Sequence, residues 1–413
     1  MSRYRKRKGT KRRYKAAVKC LCLVFLGIVL MILANQRYRA YNRAKYADQI
    51  QFYRDCLEQE KNWLAKQQTA EGAICLYRRK EQTEGSVNPY FSCQAALGML
   101  AGKPDEQALQ YAAAYLSWHT GELLRSEGFM SDYKIVSGEL KPTGTYDSVD
   151  SYIALYLTLL AEFIQKGGNP ETISDVEEAV AICIDRLQEL SHGGLTRVSP
   201  GKEVYYLMDN LEVLEACEKM DILLKSKHAT VEKWSSKERF SDYFGRMKTE
   251  SRDAIETVFW NEKENRFEVA VDDTFSGFGF EGMQEFYPCA IAQVYAAACD
   301  VSVIGSESEK LLYEQISKEH AWVTLEHDTT FECPVLAYIA CKIGDIQAAE
   351  AYLENYRSKY ERDADRRYPY KVPDAAWSAR TYAALYDAYE EKANRSLMDV
   401  FREKADTIRE RQD

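Results

Sequence analysis

The feature that most constrains this chain is a junction that recurs six times, where a polar loop leads into an apolar helical pattern. Each apolar pattern is followed by a second, more charged helical pattern. Helices that are apolar on all sides are typical of buried positions, whereas amphipathic helices cover a surface. Twelve such segments in alternation predict an all-α fold, an (α/α)6 toroid of six helical hairpins. The junctions lie at 88–91, 145–152, 208–212, 284–288, 327–332 and 372–377.

A basic head and an apolar run precede this pattern. Residues 1–45 contain 14 Lys and Arg and no Asp or Glu. The apolar run 20–34 extends to 16–34 if Lys19 snorkels, which approaches the length of a spanning helix. The sequence after Leu33 has no clear small-x-small cleavage site, which favours an uncleaved signal anchor over a cleaved signal peptide. The basic excess before the run predicts a cytoplasmic N-terminus and an extracellular body.

Four regions are therefore predicted: a basic tail (1–15), a transmembrane anchor (16–34), a juxtamembrane helix (35–60) and a helical domain (61–413). After residue 45 the chain has 41 basic and 64 acidic residues, a formal charge of −23. An acidic body repels phosphate backbones, so we expect no nucleic-acid partner. The eleven cysteines show no compact disulfide spacing, and several fall on apolar helical faces, where a free thiol packs as a small hydrophobe.

The junctions also concentrate acidic and aromatic residues. In a ring of hairpins the inner-helix N-termini lie at the same end, so these side chains are expected to line one funnel. Aromatic faces stack on sugars, and carboxylates supply the acid and base of glycoside hydrolysis. The predicted substrate contacts are Tyr90, Tyr146, Asp147, Tyr152, Asn210, Glu285, Asp328 and Trp377.

The same residues have a structural interpretation. Asp is a preferred N-cap, and the pairs Asp147/Asp150 and Asp209/Glu212 have the spacing of capping boxes. Most of the 29 tyrosines in the chain are expected to serve packing. The functional interpretation rests on several such junctions meeting at one rim.

Elementary electrostatics predicts catalytic roles. A carboxylate at a helix N-terminus is held ionised by the helix dipole and by backbone N–H groups. Asp150 and Asp209 are therefore alternative general bases. A general acid needs a raised pKa and is expected in a loop near apolar or like-charged neighbours. The loop candidates are Glu71, Glu84, Glu281 and Glu285. Glu71, which precedes Gly72-Ala-Ile74, is the predicted acid.

Two short motifs carry a resemblance to a known family. The pairs Glu71-Gly72 and Glu84-Gly85, together with Asp147-Ser-Val-Asp150, resemble the six-hairpin glycosidases, and most nearly glycoside hydrolase family 8. The resemblance spans roughly residues 60–391. It implies an inverting glycoside hydrolase with a Glu-Gly acid and an Asp that contacts the sugar at the cleavage point. Here Thr83-Glu-Gly85 leads to Asn88-Pro-Tyr90 instead of the family's glycine-rich helix start.

Other chemistries find little support. There is no His-Glu-x-x-His motif, Cys/His cluster or Rossmann fingerprint, so we expect no metal and no cofactor. The predicted partner is a polysaccharide or oligosaccharide, and the predicted anchor would hold the chain in the cell membrane. Two alternatives stay open, namely a non-catalytic carbohydrate-binding or scaffold protein of exopolysaccharide assembly, and a polysaccharide lyase.

Overall fold

The computed structural model describes residues 2–77, 85–277, 279, 283–326, 333–362, 365–366 and 369–410. Helices dominate this part of the chain. They are α1 (Ser2–Ala65), α2 (Pro89–Met99), α3 (Glu106–Arg125), α4 (Val149–Gln165), α5 (Val176–Leu190), α6 (Leu207–Lys225), α7 (Lys237–Ala254), α8 (Ile291–Ala298), α9 (Ser306–Glu319), α10 (Val335–Ile343), α11 (Ile346–Tyr360), α12 (Val372–Asn394) and α13 (Leu397–Glu410). Short 3-10 turns lie at Pro170–Thr172 and Val231–Lys233, and π-type turns at Ile255–Phe259 and Phe286–Ala290.

The strands are short and lie in the loops. They are β1 (Gly85–Val87), β2 (Tyr133–Val136), β3 (Glu139–Pro142), β4 (Ser191–His192), β5 (Leu195–Thr196), β6 (Val204–Tyr206), β7 (Trp260–Asn261), β8 (Arg266–Phe267), β9 (Ala270–Asp272), β10 (Glu361–Arg362) and β11 (Asp365–Arg366). All pairs are antiparallel: β1 with β2, β2 with β3, β4 with β5, β6 with β9, β7 with β8 and β10 with β11. Strands β2 and β3 form a hairpin, with positive φ at Ser137 and Gly138, as a tight two-residue turn requires.

The predicted inner ring is confirmed. Successive helices α2, α4, α6, α8 and α10 contact one another, as the mainly apolar sequences of α2, α4, α8 and α10 require. α12 closes the ring on both sides. Its Ala376 lies so close to Gly98 of α2 that a Cβ on Gly98 would come within 2.6 Å of Ala376 Cα. On the other side, the Trp377 ring lies 5.5 Å from that of Tyr338 in α10.

The alternation of helices in the sequence predicts that the C-terminal helix follows α12 as the last member of the outer ring. Instead, the end of α1 lies between the first and last outer helices. Tyr111 of α3 donates to the Leu64 carbonyl at 3.0 Å, and Arg357 of α11 donates to Cys56 Sγ at 3.1 Å. The reason is the apolar face of α1, where Cys56, Leu64 and their helical neighbours are buried. The first residues of α13 are more exposed than this part of α1.

The C-terminal ends of the inner helices carry a buried ion network at the end opposite the predicted funnel. Lys219 of α6 binds Glu162 of α4 and also Glu215, at 3.2 Å. Lys166 extends the network by donating to the Leu100 carbonyl after α2, at 2.8 Å. Burying charges is costly unless they are paired, and here the charges join three neighbouring helices.

The chain forms two compact units, one of residues 55–385 and one of residues 1–54 with 386–413. The first is the helical toroid, for which the sequence predicted a start at residue 61. The second contains most of α1. One stretch within this helix, inside 18–65, is long and apolar enough to cross a membrane, with a mean hydropathy of 2.5. A signal sequence would meet the same criterion, so the uncleaved anchor stays a prediction.

Candidate active site

Carboxylates from neighbouring inner helices gather at one end of the toroid. Asp147 precedes α4, Asp209 lies in the first turn of α6, and Glu212 follows one turn later. Burial, Cys333 and the charges of these three carboxylates raise the pKa of Tyr287, before α8, to about 12. Because Tyr287 is 44% exposed, the group borders solvent. We call Asp147, Asp209, Glu212 and Tyr287 the acidic recess.

Ser148 joins the first turns of α4 and α6. Its Oγ lies 2.6 Å from Oδ1 of Asp150 and 2.9 Å from Oδ2 of Asp209. A hydroxyl group has a single hydrogen to donate. Both contacts are therefore hydrogen bonds only when one carboxyl group is protonated and donates to Ser148. The geometry favours one proton shared by Asp150 and Asp209.

Burial controls the protonation of this pair. Asp150 has no exposed surface, and burial together with the charge of Asp209 raises its pKa well above the usual range. Burial also raises the pKa of Asp209, to about 6, although the Ser148 hydroxyl opposes the rise. The prediction that a helix N-terminus keeps the carboxyl group ionised is wrong for Asp150, where desolvation outweighs the helix dipole, whereas Asp209, with a pKa of about 6, is still mainly ionised at pH 7.

The capping interpretation of Asp147 and Asp209 is also wrong. α4 is capped by Ser148, whose Oγ accepts a bond from a first-turn N–H, and Asp147 lies outside the helix with an exposed side chain. α6 starts directly after β6 with Tyr206 at the cap, so Asp209 is already inside the helix. Neither helix needs these acids in order to start.

Glu212 is a candidate that the sequence analysis missed. The hydroxyls of Tyr90 and Tyr295 each donate to its Oε1 at 2.7 Å, whereas its Oε2 has no hydrogen-bond partner among the described residues. Glu212 is 1% exposed, and burial and the charge of Asp209 raise its pKa to about 8. The signal in the sequence was its position three residues after Asp209, which places both on one face of a buried helix.

A second polar cluster adjoins Asp147. Oδ1 of Asp132 accepts hydrogen bonds from Asn88 Nδ2 at 3.0 Å and from the Tyr152 hydroxyl at 2.8 Å. Burial raises the pKa of Asp132, and the charge of Asp147 raises it further. Tyr152, predicted to contact substrate, is 3% exposed and orients Asp132 instead.

Asn210 lies behind the recess. Its Oδ1 accepts from the Thr196 N–H at 2.7 Å and its Nδ2 donates to the Thr196 carbonyl at 3.1 Å, which fastens β5 to α6. The Thr196 hydroxyl in turn donates to Oδ2 of Asp150 at 2.9 Å. At 1% exposure, Asn210 positions Asp150 through Thr196 rather than offering a surface to a substrate.

The other predicted substrate contacts differ in how exposed they are. Tyr146 is 37% exposed, and Glu285 is exposed at the turn before α8. Tyr90 is half-buried, with its hydroxyl engaged by Glu212. Trp377 is 7% exposed, packed beneath the Arg380 guanidinium at 4.2 Å from its ring, so it belongs to the core. Asp328 lies outside the described residues.

The predicted acid, Glu71, lies in the loop between α1 and β1. It is exposed in a turn whose next residue, Gly72, packs against Ala114 and Trp118 of the outer helix α3. Across the described ranges, its carboxylate makes no hydrogen bond or ion pair. A Glu-Gly pair in the sequence does not determine on which side of an inner helix its loop lies.

Comparison with known proteins identifies the architecture. A glycosidase structure covers 83% of this chain and 98% of its own, at 12% identity and a TM-score of 0.54. The chain has the fold of known glycosidases. A novel alpha-amylase from Clostridium perfringens matches over 79% of this chain and 97% of its own, at 11% identity and a TM-score of 0.54. No family model and no curated protein matches the sequence. The predicted resemblance to six-hairpin glycosidases is thus confirmed for the fold.

Proposed function

We propose that the chain is a membrane-anchored, outward-facing glycoside hydrolase that cleaves a polysaccharide by an inverting mechanism. The observation that carries the proposal is the pairing of an exposed carboxylate, Asp147, with a partly buried one, Asp209, whose pKa is raised to about 6. Carboxylates with different environments are what acid and base roles require. The glycosidase fold supports the same reaction class.

Asp209 is the general acid. Below about pH 6 it is largely protonated, and it is not fully buried, so its proton is available to a bound sugar. It transfers this proton to the glycosidic oxygen as the bond from that oxygen to the anomeric carbon breaks. Asp150 and Ser148 stand behind it, and their hydrogen-bonded arrangement stabilises the carboxyl group that has just lost its proton.

Asp147 is the general base. It takes a proton from a water molecule, whose oxygen bonds to the anomeric carbon from the face opposite the leaving group. Inversion needs room for that water, which corresponds to carboxyl groups roughly 6.5–9.5 Å apart. After one turnover Asp147 is protonated and Asp209 is ionised, and exchange with solvent restores both.

Glu212 supports the acid from one turn deeper in α6. With a pKa of about 8 it is mainly neutral at the pH where Asp209 works, and Tyr90 and Tyr295 fix its orientation. A neutral group there does not repel the negative charge that forms on Asp209. The roles that the sequence predicts for Glu71 as acid, and for Asp150 or Asp209 as base, stay predictions, and Glu71→Gln tests the first of them directly.

A neutral or cationic sugar suits the recess better than an acidic one. In the part of the chain that the structure describes, Asp147, Asp209 and Glu212 form no ion pair with a basic side chain, so a uronate would meet uncompensated negative charge. The exposed ring of Tyr287 offers a stacking face for a sugar. A variant of the similar glycosidase was solved in complex with glucose.

A panel of polysaccharides tests the proposed function. The full chain in detergent is incubated with neutral, amino and uronic polymers, and the release of reducing ends is measured. The proposal predicts hydrolysis of a neutral or amino polymer, with the new anomeric centre inverted in proton NMR. An unsaturated product that absorbs in the ultraviolet would identify a lyase instead, and binding without turnover would identify a carbohydrate-binding protein.

A further inference from the structure

The start of the C-terminal helix α13 is encoded locally. Ser396 and Asp399 form a reciprocal capping box, in which the Ser396 hydroxyl donates to Asp399 Oδ2 at 2.6 Å and the Asp399 N–H donates to Ser396 Oγ at 3.2 Å. The Ser396 N–H donates to the same carboxylate oxygen at 2.9 Å. α13 therefore has its own start signal, independent of packing.

α13 begins where the apolar run of α1 ends. The Leu397 N–H donates to Oδ1 of Asn35 at 2.9 Å, and Asn35 is the first polar residue after the run 20–34. Two turns further along α1, Arg43 Nη2 donates to Oδ1 of Asn394 at 2.8 Å. If the run spans the bilayer, these contacts hold the first turn of α13 at the level of the lipid head groups. Asn35 is one residue past the end of the run, which corresponds to a rise of about 1.5 Å along the helix axis.

The side chains of α13 are sorted by face in the way an interfacial helix requires. At about 100° per residue, Leu397, Phe401 and Ala405 share one face, and Asp399, Glu403 and Asp406 occupy the opposite one. The basic residues Arg402, Lys404 and Arg409 lie between the two. Long basic side chains at such a boundary reach the head groups while their stems cover apolar surface.

Two large side chains on the apolar face are left exposed by the described residues of their unit. Met398 is 53% exposed and Phe401 is 62% exposed. They lie three residues apart, so they are neighbours on the helix surface. Tyr41, on the part of α1 just beyond the run, is 65% exposed, and tyrosine is enriched at membrane–water interfaces.

We propose that α13 lies on the outer surface of the membrane as a second, reversible attachment, with Met398 and Phe401 inserted among the lipid acyl chains beside the anchor. The occupant of this face is phospholipid. The acidic residues opposite nearly balance the basic ones along the helix, so apolar insertion drives binding, not attraction to anionic lipid. The inference rests on the anchor within the proposed function.

The test uses the full chain reconstituted into phosphatidylcholine vesicles. Phe401→Trp adds an indole on the apolar face, and Asp406→Trp adds one on the acidic face as a matched control. The added emission, taken as the difference from the unaltered protein, is measured with lipids brominated near the head group. We expect Phe401→Trp to be quenched at least about twofold more than Asp406→Trp, with little change on adding anionic lipid or salt.

Other outcomes would contradict the inference, and each would show what surrounds α13 instead of lipid. Equal, weak quenching of both variants, with both accessible to iodide in solution, would mean that α13 stands in water. Protection of Phe401→Trp from iodide without bromine quenching would mean that a second copy covers the face. Leu26→Trp, with lipids brominated at mid-chain, tests the anchor separately, because its quenching would leave only the inference on α13 refuted.

Discussion

The Ser148 hydroxyl lies 2.9 Å from Oδ2 of Asp209 and also caps the helix that follows Asp147. A single side chain thus fixes the start of α4 and the electrostatics of the proposed acid on α6. The two functions are separable, because the cap acts on stability and the hydrogen bond acts on the pKa of Asp209.

Replacement of this hydroxyl should therefore change two measurements. Ser148→Ala removes a donor that lowers the pKa of Asp209, so the loss of activity above about pH 6 should move to higher pH. It also removes the N-cap of α4, which should lower the free energy of unfolding by about 1 kcal/mol. Profiles of kcat/KM against pH and thermal unfolding measure the two effects. Ser148→Thr keeps the hydroxyl and should restore both; an unchanged pH profile in Ser148→Ala would contradict the coupling.

Glu212 should make the toroid less stable as pH rises. Its folded pKa of about 8 is raised above the ordinary glutamate value, mainly by burial, so the folded state holds the proton more tightly than the unfolded chain. Its contribution is complete below the unfolded pKa and is lost as pH rises through about 8, by on the order of 5 kcal/mol.

The matched variant is Glu212→Gln, which keeps a neutral hydrogen-bonding group at all pH values. Its free energy of unfolding, measured in denaturant from pH 5 to 8, should fall less steeply than that of the unaltered protein. Glu212→Ala should be less stable by about 1–3 kcal/mol at pH 5, because Tyr90 and Tyr295 lose their acceptor. Parallel pH curves for the glutamine variant and the parent would refute a protonated Glu212.

The closure of the inner ring depends on a glycine. A methyl group on Gly98 would meet the backbone of Ala376 at 2.6 Å, which no side-chain rotation relieves. Gly98→Ala should destabilise the protein by about 2 kcal/mol or more. On the outer helix α3, a methyl group on Gly121 meets only the end of Arg125, at 3.6 Å, so Gly121→Ala should stabilise by up to about 1 kcal/mol. Thermal unfolding should give opposite signs, and equal stability of the two variants would count against close contact of α2 with α12.

Helical periodicity was enough to predict the alternation of buried and surface helices, since the apolar pattern of α4 or α10 permits only an inner position. The closing helix could not be predicted in this way. Whether α1 or α13 completes the outer ring depends on which apolar face finds space between α3 and α11, and this is a property of the assembled ring.

The sequence predicted where the site lies, but not which role each of its residues has. Spacing alone placed Asp147 and Asp209 at one rim, but it gave Glu212 the appearance of a capping residue. The deciding quantity is burial, which raises the pKa of Asp150 and Asp209 where the helix dipole alone would lower it. Asp132 was missed because it does not lie at the start of a helix. It is held at the site by hydrogen bonds from Asn88 and Tyr152.

The most direct test of the account compares reducing-end release, on the best polysaccharide of the panel, by Asp209→Asn, Asp147→Asn and Glu71→Gln in the full chain. Loss of the acid or the base should reduce kcat by about 100-fold or more, with the circular dichroism spectrum of the folded protein unchanged, whereas Glu71→Gln should stay close to the unaltered protein. Full activity in Asp209→Asn together with an inactive Glu71→Gln would contradict the assignment.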